Sequence, residues 1–213
     1  MNTISPEESL VTKQTNKFIF IFGMLIGVIC FILLYGIQIL DFTYIDWLYA
    51  GEDLTQHFLG WEFFRKSAWS FPYIGLIEGV VYPAKISVLY SDSIPIFAIL
   101  FKAISPILPA QFQYFGLWGL MCFALQGGIS SLLIYRVTAR KDLSIIGSIL
   151  FVLSPVLLDK MFRYTSLSAH WLILLGILIC FAWKDATYKK EIGSMDSYYQ
   201  HQRHGTLLFH SDD

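Results

Sequence analysis

An apolar run of 23 residues, Phe18 to Leu40, constrains the fold most, because it contains no charged side chain. At 1.5 Å per residue, a helix of this length exceeds the roughly 30 Å hydrocarbon core of a bilayer. A signal peptide has a shorter apolar core of about 7–15 residues and a small-residue cleavage site, whereas this run ends in IQILDFTY. We therefore expect a retained membrane anchor.

The composition extends this expectation to the whole chain. Hydrophobic residues make up 55% of the sequence and charged residues 15%, against about 25% charged in soluble proteins. The formal net charge of −1 gives no basis for binding nucleic acid, so the lipid bilayer is the expected partner. Cys30, Cys122 and Cys180 lie inside apolar runs and are expected to be free thiols.

Three further apolar runs predict spans, at 112–135, 143–158 and 167–183. The predicted fold is therefore an all-α integral membrane protein with about four transmembrane helices, at 18–40 and at these three positions. Residues 1–17 form a cytoplasmic tail in this scheme, and residues 41–111 form a large outer loop. Residues 184–213 are polar and aperiodic, and we expect a cytoplasmic tail without regular structure there.

Ser93–Pro109 is a fifth apolar segment that we expect not to cross. It carries Lys102 at its centre and three prolines, which favours an interfacial or re-entrant helix in the outer loop. The distribution of Lys and Arg residues supports this expectation. If the segment does not cross, most of these residues lie at the cytoplasmic ends of spans. Those bases are Lys13, Lys17, Arg136, Arg140, Lys141, Lys184, Lys189 and Lys190, against Lys160 and Arg163 in the short outer loop.

The stretch GEDLTQHFLGWEFFRKSAWSFP follows the first span and mixes acids, bases and aromatics. A helix starting at Asp53 gathers six apolar side chains on one face, which predicts an amphipathic helix in the membrane interface. These side chains are Leu54, Phe58, Trp61, Phe64, Ala68 and Trp69. Asp53 and His57 are neighbours at positions i and i+4, and Asp53 either caps the helix or takes part in a site.

Two later segments contain charged residues on the same predicted outer side. In LYSDSIP, Asp92 or Ser93 precedes a proline-led helix, so that capping is again the alternative to a functional role. In LDKMFRYTSLSAHW, Arg163 and His170 are candidates to hold an anionic group, since Arg binds phosphate through a planar fork of donors. The alternative is that these charges only mark the water boundary.

The order of these features resembles the GT-C membrane glycosyltransferases. An anchor is followed by an acid that opens an amphipathic helix, and later by Trp69, Pro72 and an acid beside a proline-led helix. The pattern also contains a basic turn, RVTARKD at 136–142. It ends with a span that closes on Ser154 and Pro155, shortly before Arg163 and Tyr164. This order is similar to aminoarabinose transferases and protein O-mannosyltransferases, and closest to an uncharacterised group of bacterial membrane proteins.

The resemblance implies transfer of a sugar from a polyprenyl-phosphate donor to an acceptor on the outer face of a bacterial cytoplasmic membrane, with the N-terminus inside. Asp53 matches the catalytic acid of the first outer loop, and Asp92 would orient the acceptor or a divalent cation. Arg163 and His170, with Lys102 as a weaker candidate, would stabilise the phosphate leaving group, and His57 would line the substrate site. Tyr82, Tyr90 and Trp61 are candidates to stack on a sugar ring or a lipid head, with an aromatic belt as the alternative.

The resemblance covers 18–183 and departs from the family in one respect. Members of this class carry more spans, whereas this sequence has a polar tail after four. We therefore expect either an N-terminal module of such a transferase or a truncated, inactive product. The alternative function is that of a non-catalytic membrane protein.

Overall fold

The computed structural model describes residues 6–184, with side chains from residue 14 onward except that of Glu52. The chain forms two compact units, Met1–Leu172 and Ile173–Asp213. The described elements of the first unit are α1 (Pro6–Tyr35), α2 (Glu52–Lys66), β1 (Leu76–Val81), β2 (Ala84–Ser87), α3 (Pro95–Ala103), α4 (Phe115–Thr138), α5 (Lys141–Val152) and α6 (Pro155–Lys160). A last helix, α7 (171–184), begins in the first unit and supplies the described part of the second. The predicted polar tail falls outside the described residues.

Four helical segments of the described chain are long and apolar enough to cross a membrane. They are Gln14–Tyr35, Phe115–Thr138, Lys141–Lys160 and Thr165–Lys184. The prediction of four such helices is confirmed, with shifted ends. The first helix ends at Tyr35 rather than near Leu40, because Gly36 adopts the left-handed conformation (φ +78°) that terminates helices.

The third candidate span is interrupted. Helix α5 ends at Val152, and Ser154 accepts a hydrogen bond from the Leu157 N–H to cap α6, whose first residue is Pro155. Proline lacks an N–H and is suited to the first turn of a helix, so Ser154 and Pro155 end one helix and start the next.

Helices α1 and α4 cross at small residues. A Cβ atom added to Gly27 would lie closer than 3.0 Å to the Phe123 carbonyl, and one added to Gly127 would meet the Gly23 carbonyl at similar range. The Ser131 hydroxyl donates to the Ile19 carbonyl at 3.0 Å across this contact. Close backbone packing through Gly and Ser is the usual means of association for helices in lipid.

Helix α2 does not present its apolar face to a membrane interface, as the sequence analysis expected. Leu54, Phe58, Trp61 and Phe64 are all buried in the protein core. The Trp61 indole is fully buried and donates to the Phe112 carbonyl at 2.9 Å, so protein and not lipid headgroups covers this tryptophan. The prediction was wrong because periodicity shows which face is buried, but not whether protein or lipid covers it.

The carboxyl end of α2 is fixed to the segment that follows α3. The Arg65 guanidinium donates to the Ser105 hydroxyl at 2.8 Å and to the Ala110 and Pro109 carbonyls at 3.0 and 2.7 Å. Helix α2 is about 22 Å long at 1.5 Å per residue. Its two ends therefore contact different parts of the molecule.

Helix α3 is only nine residues long, or about 14 Å, too short to cross a bilayer. The expectation that Ser93–Pro109 forms no fifth spanning helix is confirmed. Its start differs from the prediction: Ile94 is the N-cap in a left-handed conformation, and neither Asp92 nor Ser93 caps the helix.

The described chain is not all-α, because β1 and β2 form an antiparallel hairpin between α2 and α3. The hairpin is joined to the end of α2 by the Glu78 N–H, which donates to the Ser67 hydroxyl at 2.8 Å. Its turn carries Tyr82, which is 90% exposed.

We predict that Gly127→Ala destabilises the protein by about 1–3 kcal/mol, because its Cβ would push α1 and α4 apart. The measurement is the thermal unfolding midpoint of the purified protein in detergent. The matched control is Gly176→Ala, where an added Cβ meets no described atom within 4 Å. That change should be neutral or slightly stabilising, since alanine favours helix over glycine by about 0.5–1 kcal/mol. Equal midpoints for the two variants would contradict close packing at Gly127.

Candidate functional site

His57 joins three segments at one end of the described helices. It lies on α2, is 4% exposed, and its Nδ1 is 2.8 Å from the Thr165 hydroxyl oxygen. Its Nε2 is 3.5 Å from a carboxylate oxygen of Asp92. His57 therefore contacts both the turn before α3 and the turn before α7.

Asp92 is fixed by its backbone as well as by His57. It adopts a left-handed conformation (φ +51°), and its carboxylate accepts a hydrogen bond from the Ser166 N–H at 3.3 Å. On either side of it, Ser91 and Ser93 pack on α2: their hydroxyls lie 2.7 Å apart, and the Ser93 hydroxyl donates to the His57 carbonyl at 2.6 Å. The Asp92 side chain keeps 31% exposure, so one part of the carboxylate faces solvent.

Asp53 lies one turn before His57 and lines an open cavity. Helix α2 begins at Glu52 with Gly51 as its N-cap, so Asp53 is the second helical residue and not the cap. The cavity encloses about 850 Å³, including the solvent at its mouth. Its lining residues are Ala50, Gly51, Asp53, Leu54, Met161, Phe162 and Arg163.

The opposite wall of the cavity is basic and is placed by Phe162. This residue has a positive φ of 62°, and its ring packs 5.1 Å from that of Tyr35 and 4.9 Å from that of Trp47. A positive φ is uncommon for an aromatic residue. The anchored Phe162 ring places the next residue, Arg163, at the cavity.

Arg163 belongs to a charged group around Asp159. The Arg163 guanidinium lies 3.3 Å from one Asp159 oxygen, and the Lys160 ammonium lies 3.2 Å from the other. Both cations also lie over the Tyr164 ring. With two bases and one acid the group carries an excess positive charge, and the 62% exposed Arg163 side chain remains accessible to an anion.

The pKa of His57 is lowered below its usual value. Burial is the largest cause, because it disfavours the imidazolium, and the negative charges of Asp92 and Asp53 oppose it. We conclude that His57 is neutral at pH 7. A neutral imidazole fits its two contacts, since one ring nitrogen donates and the other accepts.

Two of the predicted site residues are buried away from any substrate. His57 is enclosed by protein and cannot line a substrate site directly. Lys102 was a candidate to stabilise a phosphate leaving group, but it is 5% exposed, with its ammonium 4.0 Å from the Phe64 ring centre and 4.7 Å from that of Trp69. Cation–π attraction from the two rings compensates the desolvated charge, and burial lowers the pKa of Lys102.

The remaining predicted residues do not line the cavity. Tyr82 and Tyr90 are 90% and 81% exposed, in the hairpin turn and in the turn before Asp92. His170 is half-buried just before α7. Their proposed roles stay predictions.

Sequence reasoning missed Thr165, Ser166 and Trp118. The Trp118 indole donates to the Thr165 carbonyl at 2.8 Å, which fixes the Thr165–Ser168 turn on α4. The hydrogen-bond partners of Thr165, namely Trp118 and His57, lie 47 and 108 positions away from it in the chain. No local pattern could have identified them.

The described residues contain no group of three or more His, Cys, Asp or Glu side chains that could hold a metal ion. Asp92 instead uses its carboxylate on His57 and Ser166. A divalent cation at Asp92 stays a prediction, and it would need ligands from a substrate or water.

Comparison with known families gives one match. Residues 24–201 match a domain of unknown function, DUF6311. The chain belongs to the DUF6311 family. No curated protein and no solved structure matches the chain. The DUF6311 match includes the four candidate spans from residue 24 onward, the Asp53 cavity and part of the polar segment after residue 184.

We predict that His57 titrates below its unperturbed pKa of 6.5. Because an unfolded chain binds this proton more tightly, the stability contribution of neutral His57 is lost as pH falls below 6.5. The measurement is an NMR pH titration of histidine-labelled protein in detergent, with the His57 signal identified by its loss in His57→Asn. A His57 pKa at or above 6.5 would mean that Asp92 and Asp53 outweigh burial.

Proposed function

We propose that this DUF6311 protein is a membrane glycosyltransferase, or the N-terminal part of one, that uses a polyprenyl-phosphate sugar. One observation carries the proposal: Asp53 and Arg163 line the same open cavity at the end of the candidate spans. A carboxylate suits an attacking hydroxyl and a guanidinium suits a phosphate leaving group. The resemblance to GT-C enzymes supplies the substrate class.

The reaction would proceed by attack of an acceptor hydroxyl oxygen on the anomeric carbon of the donor sugar. The new bond joins that oxygen to the anomeric carbon, and the bond from the anomeric carbon to the phosphate oxygen breaks. The Asp53 carboxylate accepts the hydroxyl proton, and the polyprenyl phosphate leaves with both electrons of the broken bond. Arg163, with Lys160 beside it, would stabilise the charge that develops on the phosphate.

Asp92 is not among the residues that line the cavity, and it would orient the acceptor from the neighbouring turn before α3. His57 and Ser166 both hold its Oδ2 atom, so the direction of the carboxylate is fixed before a substrate arrives. Preorganised polar groups cost no rearrangement during the reaction. His57 and Thr165 thus act as positioning residues in this scheme and not as substrate ligands.

The proposed location is a bacterial cytoplasmic membrane, with the N-terminus and the Arg136–Lys141 turn inside. The positive-inside distribution of bases supports this orientation. The cavity would then open on the outer face. On that face, α3 leaves an apolar stripe exposed at Ile96 and Leu100, suited to the membrane interface. Labelling of Thr138→Cys in intact cells by an impermeant thiol reagent that also labels Tyr73→Cys would contradict the orientation.

We predict that Asp53→Asn lowers transfer by about 10²-fold or more, because an amide cannot accept the proton. The assay incubates the purified protein with a panel of radiolabelled polyprenyl-phosphate monosaccharides and acceptor membranes, and follows released polyprenyl phosphate. The matched control is Asp46→Asn, an exposed acid of the same region that does not line the cavity. Unchanged transfer by Asp53→Asn would remove Asp53 from the mechanism.

A binding measurement separates a catalyst from an inactive module. Polyprenyl phosphate should bind to the wild type, and Arg163→Gln should weaken binding by about tenfold or more, since a charge-assisted bond contributes about 1.5–3 kcal/mol. Binding without transfer by any donor would assign the chain to the inactive alternative. Absence of both would contradict the proposed ligand class.

A further inference from the structure

The hairpin of β1 and β2 ends in an apolar tip, residues 80–84, with the sequence VVYPA. All five residues are exposed, with Val80 at 44%, Val81 at 51% and Tyr82 at 90%. Hairpin turns in water usually carry Gly, Asn or Asp. None of the tip residues has a charged or amide side chain, so the tip has no polar face to present to water.

The charges nearest to the tip are paired with each other. Glu78 of β1 and Lys85 of β2 form an ion pair across the hairpin, and their side chains are 39% and 46% exposed. The hairpin therefore has an uncharged end and, directly behind it, a charged level. Hydrocarbon and headgroups follow each other in the same order at the surface of a bilayer.

Helix α3 lies beside the base of the hairpin. The two elements meet at Ala68, whose N–H donates to the Glu78 carboxylate and whose carbonyl accepts from the Lys102 ammonium at 3.5 Å. Lys102 is the one charged residue of α3, and it is buried, whereas Ile96 and Leu100 are 79% and 56% exposed. A helix at a surface that faces water has the opposite polarity. This inverted pattern indicates that lipid covers the outer side of α3.

The apolar surface continues from α3 toward a candidate span. Residues 104–114 join α3 to α4, and Ile107 in this connection is 81% exposed. Helix α4 is itself long and apolar enough to cross a membrane. A bilayer around α4 therefore accounts for the apolar surface beside the hairpin, and no second protein is needed to cover it.

We infer that the hairpin tip, residues 80–84, inserts into the membrane interface beside α3, with Tyr82 at the boundary between headgroups and hydrocarbon. Tyrosine suits that depth because its ring is apolar and its hydroxyl is polar. The inserted tip is an attachment to the bilayer in addition to the spans. Through the hydrogen bond from the Glu78 N–H to Ser67, it fixes the carboxyl end of α2 relative to the bilayer.

The inference rests on insertion of the candidate spans into a membrane, and not on the proposed transfer reaction. The hairpin is bound to the carboxyl end of α2, whereas Asp53 lies at the amino end. Insertion of the tip and catalysis at Asp53 can therefore fail independently.

Spin-label accessibility tests the insertion. A nitroxide is attached to Tyr82→Cys in the full chain, with Cys30 and Cys180 changed to alanine and the fully buried Cys122 retained. The protein is placed in nanodiscs of phosphatidylcholine and phosphatidylglycerol that hold one chain each. Collisions of the label with oxygen, which concentrates in hydrocarbon, are compared with collisions with a water-soluble nickel chelate.

The oxygen-to-nickel ratio at position 82 should exceed the ratio at position 85 severalfold. Lys85→Cys is the matched control, because it lies three residues away on the same hairpin, at the charged level. In water the order would not favour position 82, since Tyr82 is the more exposed of the two residues.

A charge at the tip tests the apolar contact. Val81→Asp should lower the ratio at position 82 to that of the Lys85→Cys control, because a carboxylate is costly to place in hydrocarbon. Leu89→Asp is its matched control, since Leu89 is 69% exposed and lies beyond β2. It should leave the ratio at position 82 unchanged. Both substitutions are at exposed positions, so neither removes a buried contact of the fold.

Three results would each overturn the inference. Equal ratios at positions 82 and 85 would place the tip in water. Equal ratios at position 82 in the Val81→Asp and Leu89→Asp proteins would show that the tip does not depend on an apolar surrounding. Dipolar broadening between labels at position 82 in detergent, removed by dilution with unlabelled protein, would show that a second copy of the chain covers the tip.

Discussion

The arrangement of the candidate site depends on the contacts that the buried Trp61 side chain makes with Phe112 and Tyr114. Its indole donates to the Phe112 carbonyl, three residues before α4 begins, and its ring packs 5.1 Å from that of Tyr114. A buried indole N–H needs an acceptor, so this bond fixes the rotation of α2 as well as its position. With that face of α2 turned toward α4, Asp53 and His57 must lie toward the turns that precede α3 and α7.

The polar contacts at this end of the protein act together because each satisfies a buried group of another segment. His57 holds Thr165 and Asp92, Trp118 holds the Thr165 carbonyl, and the Ser93 hydroxyl holds the His57 carbonyl. Loss of one partner would leave a buried donor or acceptor unsatisfied, which costs about 1–3 kcal/mol. These contacts hold the turns before α3 and α7 against α2, beside the cavity that Asp53 and Arg163 line.

The sequence predicted those features that local pattern determines. Four long apolar helices follow from hydropathy, and the short α3 follows from Lys102 and three prolines within one apolar segment. The count of spans placed Asp53, Asp92, Arg163 and His170 on one outer side. Of these four residues, Asp53 and Arg163 line one cavity, whereas Asp92 and His170 are not among its lining residues. Their chemical roles stay predictions.

Other features depend on contacts that no local pattern encodes. The apolar face of α2 was visible, but its burial by Phe112 and Tyr114 was not, and Lys102 gave no sign of its two aromatic neighbours in a different segment. His57 and Thr165 are 108 positions apart, so their contact exists only once the helices have packed.

Intramolecular crosslinking tests the central claim most directly, namely that the amino end of α2 faces the turn carrying Arg163. Cysteines replace Asp53 and Arg163 in a chain whose Cys30, Cys122 and Cys180 are changed to alanine, and a short bismaleimide is added to the purified protein. The control pair replaces Glu78 and Arg163, because Glu78 is bound to the carboxyl end of α2, about 22 Å from its start. The account predicts that the 53–163 pair crosslinks efficiently and the 78–163 pair does not. Equal yields, or a link in the control pair alone, would contradict it.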